Sequence, residues 1–249
     1  KQKTAYEIMP SLVGSEMCIR DSPLYDMDVN IGGTINICQA CVEAGIKPYI
    51  VFTSSRAVYG EPEYLPVDEN HPIKANSQYG ISKYAAEQYL LMYMREYGLK
   101  PIILRLTTIY GERQYGMEEQ GIVAWMIKCV LEGKTFNFFG DAANFIRDPT
   151  YVKDVVKIAK AAIEKDMVGE VFNVGTGSPV RLGDLLNLIE MIAGKKIKKR
   201  RVKPREADVT AHITDTSKML SKLRCYPDTP LWTGLERTIN WAKKAWGYE

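Results

Sequence analysis

Apolar residues recur at three- and four-residue spacing through residues 30–44 (Ile31, Thr34 and Ile35, Cys38, Cys41 and Val42), and Gly45 closes the run. That spacing predicts a helix. Residues 49–53, Tyr-Ile-Val-Phe-Thr, are continuously apolar or β-branched and predict a buried strand. Residues 77–97 predict a long helix ended by Gly98, residues 101–107 another buried strand, and residues 118–131 a helix. Strands are expected at 136–139 and 145–152, a helix at 153–165, and a strand at 170–174 that runs into Gly175-Thr176-Gly177. Helices at 182–193, 216–223 and 231–246 complete the pattern. Strands alternating with helices imply βαβ units and a parallel sheet covered on both faces, so the class is α/β.

Composition narrows the field. With 249 residues, 46% of them hydrophobic, the chain can bury a core without disulfide or metal staples. The longest apolar runs are far too short to span a bilayer, and a net charge of +3 carries no nucleic-acid footprint. Neither a membrane nor a nucleic-acid partner is therefore expected. The five cysteines form no paired framework, which suits a reducing cytoplasm. Cys38-x-x-Cys41 lies in a helical pattern with no second ligand pair, so these read as ordinary helix cysteines. Only His71 and His212 are present, so acid/base chemistry falls to other groups. Residues 1–22 show no periodicity, and residues 11–22 resemble translated sequencing-adapter read-through; the segment is expected to be non-native or disordered.

Dinucleotide-binding sheets of this class open with strand, G-x-G-x-x-G and helix. No such motif occurs here: Gly32-Gly33 lies within a helical pattern, and Gly175-x-Gly177 stands near the far end. Tyr79 and Lys83 form a Y-x-x-x-K, of which about one is expected by chance from this content of Tyr and Lys. Its context gives it weight. Thr53-Ser54-Ser55-Arg56-Ala57-Val58-Tyr59-Gly60 ends the strand before it, and Ser77-Gln78-Tyr79-Gly80-Ile81-Ser82-Lys83 opens the helix that carries it.

Here the chain resembles the extended short-chain dehydrogenase/reductases, in their nucleotide-sugar epimerase/dehydratase branch. The resemblance spans residues 30–241. Asn30-Ile31-x-Gly33-Thr34 is similar to the N-V-x-G-T helix, residues 53–60 to S-S-x-x-V-Y-G, and residues 105–111 to R-x-x-N-x-Y-G. Phe139-Gly140-Asp141, Arg147-Asp148 with Val152 and Asp154, Asn173-Val174-Gly175, Arg205-x-x-Asp208 and Asp215-x-Ser217-Lys218 follow in the family's order.

The resemblance implies an NAD-dependent enzyme with a partial NAD(P)-binding Rossmann fold and a smaller substrate-binding lobe. Residues 23–112 and 151–176 would form the remaining dinucleotide-binding part, and residues 113–150 and 177–249 the lobe. Roughly the first two or three βα units, with their glycine loop, would be missing, so the chain would hold NAD weakly and could be an inactive fragment of its parent. Ser55, Tyr79 and Lys83 would be catalytic. A tyrosine phenol ordinarily titrates near pH 10, and Lys83, one turn away on the same helix face, favours its phenolate. Tyr79 could then accept a proton from a sugar hydroxyl while hydride leaves the same carbon.

By family position Asn30, Ser55, Tyr79, Lys83 and Thr107 would touch the nicotinamide half of the cofactor. Phe139 would pack beside the nucleotide base, with Asn137 and Phe138 lining the same wall. Arg147 and Arg205 would pair with the substrate diphosphate, and Asp208 would orient Arg205 or bind ribose. Thr108 stands where the family usually has a diphosphate-side Asn, and His212 where 4-epimerases often carry Tyr. The basic run from Lys195 to Arg201 reads as a solvated strand edge. Arg56-Ala57 replace the Asp-Glu of dehydratases, so the resemblance implies epimerisation rather than elimination. UDP-glucose 4-epimerase-like chemistry on a nucleotide-diphosphate sugar is expected. Residues 110–121, Tyr-Gly-Glu-Arg-Gln-Tyr-Gly-Met-Glu-Glu-Gln-Gly, look more like CDP-tyvelose (CDP-paratose) 2-epimerases, which is the alternative. A homodimer is expected by resemblance, through the helices at 30–44 and 77–97.

Overall fold

The computed structural model describes residues 22–117, 121–204 and 209–248. Ser22 caps the first helix, α1 (Pro23–Met27), by accepting the Tyr25 N–H. The chain passes through a π turn (Asp28–Gly32) into α2 (Gly33–Glu43) without leaving helical geometry. This helix starts earlier than the apolar spacing predicts. Leu24, Tyr25 and Met27 are exposed and Asp26 is the buried residue of that turn, so the hydrophobic pattern carries no signal there.

Three parallel strands make the main sheet in the order β1 (Tyr49–Ser55), β2 (Lys100–Leu106), β7 (Val171–Val174). β2 is central and buried, whereas β1 is half-buried and has no outer neighbour among the described residues. The expectation of a buried strand at 49–53 is thus corrected: among the described residues its outer edge has no flanking strand to cover it. One sheet face packs on α2 and on α3 (Gln78–Tyr97) through Cys38, Leu90, Tyr93 and Leu99. The other packs on α5 (Val152–Glu164) and α7 (Ser217–Leu223) through Val155, Ile158, Met219 and Leu223. The α/β class and the two-sided cover are as expected.

The long helix α3 follows its sequence signals closely. The Ser77 hydroxyl accepts the Gly80 N–H at 3.1 Å, and Gly98 stops the helix in left-handed geometry with φ 70°. Two other predictions need correction. The strand expected at 145–152 is two short strands, β5 (Ile146–Arg147) and β6 (Pro149–Tyr151), because the Asp148 carboxylate between them accepts hydrogen bonds from another loop. The helix expected at 118–131 is α4 (Ile122–Glu132); residues 118–120 lie outside the described set.

A second core gathers α4, α6 (Leu182–Ala193) and α8 (Leu231–Trp246) around β4 (Phe136–Phe139), with Met126, Phe138, Leu186 and Leu235 at its centre. β3 (Thr108–Tyr110) pairs with β6, and β5 pairs with β8 (Val180–Arg181). β4 pairs with β9 (Lys199–Val202), so the basic run is an exposed edge strand, as expected. No helix among the described residues is long and apolar enough to cross a membrane.

Candidate active site

Strand register sets the site. Ser55 lies opposite Leu106, and Leu106 opposite Val174. The residues that follow, Arg56, Thr107 and Gly175, therefore leave the sheet together at its carboxyl end, where open α/β sheets hold their ligands. The Ser55 hydroxyl caps the 3₁₀ turn Arg56–Tyr59 by accepting the Ala57 N–H at 3.2 Å. Accepting that bond leaves the Ser55 proton free to be donated.

α3 meets this turn at Gly80. A Cβ there would fall 2.3 Å from the Ala57 carbonyl oxygen, so only glycine permits the approach. The contact brings Tyr79 beside the Ser55 turn. One helical turn on, Lys83 is 9% exposed, with Nζ 4.5 Å from the Phe52 ring centre and 5.9 Å from that of Tyr79. The ammonium is thus enclosed against β1 on the tyrosine's side. Asn30 joins from the π turn: its Nδ2 donates to Asp26 Oδ1 at 2.7 Å and to Ser82 Oγ at 3.1 Å. Single π turns are frequent at functional sites, and this one delivers Asn30 to the neighbour of Lys83.

Beneath these groups lies a buried polar network. Glu87, with no exposed surface, takes two hydrogen bonds from Arg105, Nε to Oε1 at 3.0 Å and Nη2 to Oε2 at 2.7 Å. Ser54 Oγ donates to Glu87 Oε1 at 2.5 Å, Arg105 Nη1 to Tyr59 OH at 3.0 Å, and Tyr59 OH to Asn173 Oδ1 at 2.7 Å. Burial pushes the Tyr59 phenol up to about 12, so it remains a neutral donor. The network ties α3, β1, the Ser55 turn, β2 and β7 together. Sequence reasoning did not single out Glu87, although an Arg inside an apolar strand run and a Glu four residues after Lys83 are the signals for the pair.

On the far side of the cleft, Asp148 is 2% exposed and accepts from the backbone N–H of Thr176 at 3.0 Å and Gly177 at 3.1 Å, and from the Thr176 hydroxyl. Burial raises its carboxyl above the usual range, and these hydrogen bonds work against that rise. A Cβ on Gly175 would lie 2.3 Å from Asp148 Oδ2 and 2.7 Å from Thr107 Cγ2. Thr107 packs there, its hydroxyl 3.0 Å from that of Thr150. Thr108 N donates to the Asp148 carbonyl at 3.2 Å.

Ser55, Tyr79, Lys83, Asn30 and Thr107 are thus brought to one end of the sheet. The other predicted residues are distributed differently. Arg147 Nη1 donates to the Ile146 carbonyl at 2.9 Å, and its guanidinium lies 5.7 Å from the Phe145 ring centre. Asn137 and Phe139 share one face of β4, with Asn137 Oδ1 accepting from Arg200 Nε at 3.1 Å. Phe138 does not line their wall. Alternate strand residues face opposite sides; Phe138 points into the second core, its ring centre 4.9 Å from that of Phe136. Arg205 and Asp208 lie outside the described residues.

The groups at the sheet end fit the nicotinamide half of NAD: a buried lysine, a tyrosine beside it, a serine with a free proton and an amide held by Ser82. The sequence contains no G-x-G-x-x-G for the pyrophosphate.

Comparison with known proteins agrees with the geometry. A protein of Methanocaldococcus jannaschii provisionally named UDP-glucose 4-epimerase is 40% identical over 223 residues, covering 90% of this chain and 72% of that protein. The CDP-paratose 2-epimerase of Salmonella typhi is 28% identical over 247 residues, covering 89% and 72%. The crystal structure of the Thermotoga maritima UDP-glucose 4-epimerase with UDP-glucose superposes with a TM-score of 0.87 at 34% identity, covering 94% of this chain and 75% of that one. The profile of the NAD dependent epimerase/dehydratase family matches residues 15–175, and this chain belongs to that family.

Proposed function

We propose that the chain is an NAD-dependent epimerase of a nucleotide-diphosphate sugar, of the UDP-glucose 4-epimerase kind. The observation that carries this reading is the convergence of Ser55, Tyr79 and Lys83 at the carboxyl end of β1, with Arg56 and Ala57 following the serine. The chemistry supplied by bound NAD is acceptance of a hydride from the sugar carbon and its return. Tyr79 takes the proton of the sugar hydroxyl and later gives it back, and the Lys83 ammonium lowers the cost of the phenolate in between. Ser55 donates its free proton to the reacting oxygen and holds it in line with Tyr79. Asn30 and Thr107 would border the nicotinamide side of bound NAD, and Lys83 would hold its ribose.

Elimination of a hydroxyl needs an acid at the positions after the serine. A guanidinium and a methyl group cannot serve, so the substrate keeps all its oxygens. Arg147 and Arg205 pair with the diphosphate, Asp208 orients Arg205 or binds ribose, Thr108 lies beside the diphosphate, and Phe139 packs on the base with Asn137 at its edge. The division into a cofactor half (23–112, 151–176) and a substrate lobe (113–150, 177–249) belongs to this proposal, as does a cytoplasmic homodimer. A 2-epimerase acting on a CDP-sugar is the second reading, favoured by residues 110–121 and by the resemblance to the CDP-paratose enzyme.

The test is product analysis with NAD supplied, using UDP-glucose and CDP-paratose as substrates. Formation of UDP-galactose supports the first reading, and formation of CDP-tyvelose the second. Tyr79→Phe should lower either rate by about 10²–10⁴-fold. Retention of full activity by that variant would sink both.

A further inference from the structure

Asp26 is the inward residue of a turn whose neighbouring side chains face out. It is 1% exposed, whereas Leu24, Tyr25 and Met27 beside it are exposed. Burying a carboxyl is costly unless it is hydrogen-bonded, and the group it meets is the Asn30 amide, Nδ2 to Oδ1 at 2.7 Å. The chemistry described above leaves this carboxyl without a task.

The bonds around that amide have a forced direction. The Tyr79 carbonyl can only accept, so the Ser82 hydroxyl, 3.1 Å away, donates to it. Ser82 Oγ is then the acceptor for Asn30 Nδ2, also at 3.1 Å. One amide hydrogen therefore goes to Ser82 and the other to Asp26, which settles which end of the amide faces inward. What the half-buried side chain still offers is its oxygen, an acceptor. The backbone of the same residue is tied as well, since the Thr34 hydroxyl donates to the Asn30 carbonyl at 2.6 Å. Ser82 alone would leave the amide to swing about one hydrogen bond. Asp26, four residues before Asn30 on a continuous helical path, closes the second.

We propose that Asp26 is a positioning residue for the reaction: with Ser82 it locks Asn30 so that the amide turns its oxygen toward a hydrogen-bond donor on the nicotinamide half of NAD. This rests on the NAD-dependent reading above. That half carries two kinds of donor, the carboxamide N–H and the ribose hydroxyls, and an amide turned the other way would meet either with an N–H. Asp26 acts through Asn30 alone.

The test follows binding rather than turnover. Dissociation constants of NAD, ADP-ribose and ADP would be measured calorimetrically on the full chain, at ligand concentrations that saturate weak binding. Asp26→Leu should weaken NAD about tenfold, the loss of one hydrogen bond, and leave ADP unchanged. An equal loss for ADP-ribose assigns the donor to the ribose, and a loss confined to NAD assigns it to the carboxamide. Asp26→Asn keeps an acceptor oxygen and should recover most of the affinity. In an Asn30→Ala background Asp26→Leu should have no further effect on NAD. The same loss in that background, or for ADP, would make Asp26 merely structural and overturn the inference. So would unchanged NAD affinity in folded Asp26→Leu, with the epimerase reading left intact. Independently of any variant, both Asn30 side-chain hydrogens should exchange slowly in ¹⁵N–¹H spectra of the unaltered chain, and exchange as fast as in a free amide would also overturn it. Absence of saturable NAD binding by the unaltered chain would overturn this inference and the NAD-dependent reading together.

Discussion

Glu87→Gln isolates the ion pair that ties the tyrosine helix to the sheet. Arg105 is 5% exposed, and the two Glu87 oxygens at 2.7 and 3.0 Å are its counter-charge. The glutamine side chain keeps the size of the glutamate but removes the charge and places an N–H against a guanidinium. Breaking a buried pair from one side costs about 3–5 kcal/mol, because the remaining charge stays desolvated. Against a total stability of about 5–15 kcal/mol this is a large fraction. For a chain of this size each kcal/mol moves the melting midpoint by about 2–4 °C, so a fall of roughly 6–20 °C is expected. Arg105→Met should cost a comparable amount through the stranded carboxylate. The double replacement Glu87→Gln with Arg105→Met removes both charges and should cost much less than the sum of the two singles. Thermal and urea unfolding followed by far-ultraviolet circular dichroism give the midpoint and the free energy of each variant. A fall below about 2 °C for Glu87→Gln, or additivity of the double variant within about 0.5 kcal/mol, would refute the coupling.

Three further outcomes follow from the geometry. Histidine ordinarily titrates near 6.5, and His212 in the fold near 3, so its contribution to stability is present above pH 6.5 and lost as pH falls toward 3. Between pH 8 and pH 5 that loss is about 2 kcal/mol; His212→Asn should remove it from denaturation curves, and identical pH dependence in the variant would refute the assignment. Gly80→Ala sets a methyl group against the Ala57 carbonyl oxygen, so α3 must withdraw from the Ser55 turn. Stability should fall by about 1–3 kcal/mol and turnover by about 10²-fold, and a fully active variant would contradict the contact. Without a G-x-G-x-x-G in the sequence the pyrophosphate of NAD lacks its usual glycine cradle, so NAD should be lost on desalting. Mass spectrometry of the desalted protein checks this, and retained stoichiometric NAD would show another cradle at work.

What the sequence revealed divides along physical lines. Helix α3 was legible almost to the residue because a serine cap and a left-handed glycine are local signals. The meeting of Ser55, Tyr79 and Lys83 was legible through motif order. Their packing depends on Gly80 lying against Ala57, a contact between elements that periodicity does not encode. α1 was missed because its outward residues are apolar and its buried one is Asp26. Phe138 was placed on the wrong side because grouping three neighbours ignored strand alternation. The Glu87–Arg105 pair and the isolation of His212 Nε2 became visible only in three dimensions, since burial of a polar atom depends on what surrounds it from distant segments.

Residues 209–216 form a crossbar between the loop after β1 and strand β5. On one side Val67 N donates to Ile213 O and Asp215 N to Val67 O, both at 2.8 Å; on the other, Ile146 N donates to Thr210 O at 2.9 Å and His212 N to Ile146 O at 3.3 Å. The loop after β1 and strand β5 therefore cannot part without rupturing two backbone bonds on one flank of the bar. Hinge-like splaying at this point carries the cost of a local unfolding event. The amides of Val67, Ile146, His212 and Asp215 thereby become a built-in gauge of whether the two segments that this stretch joins ever separate.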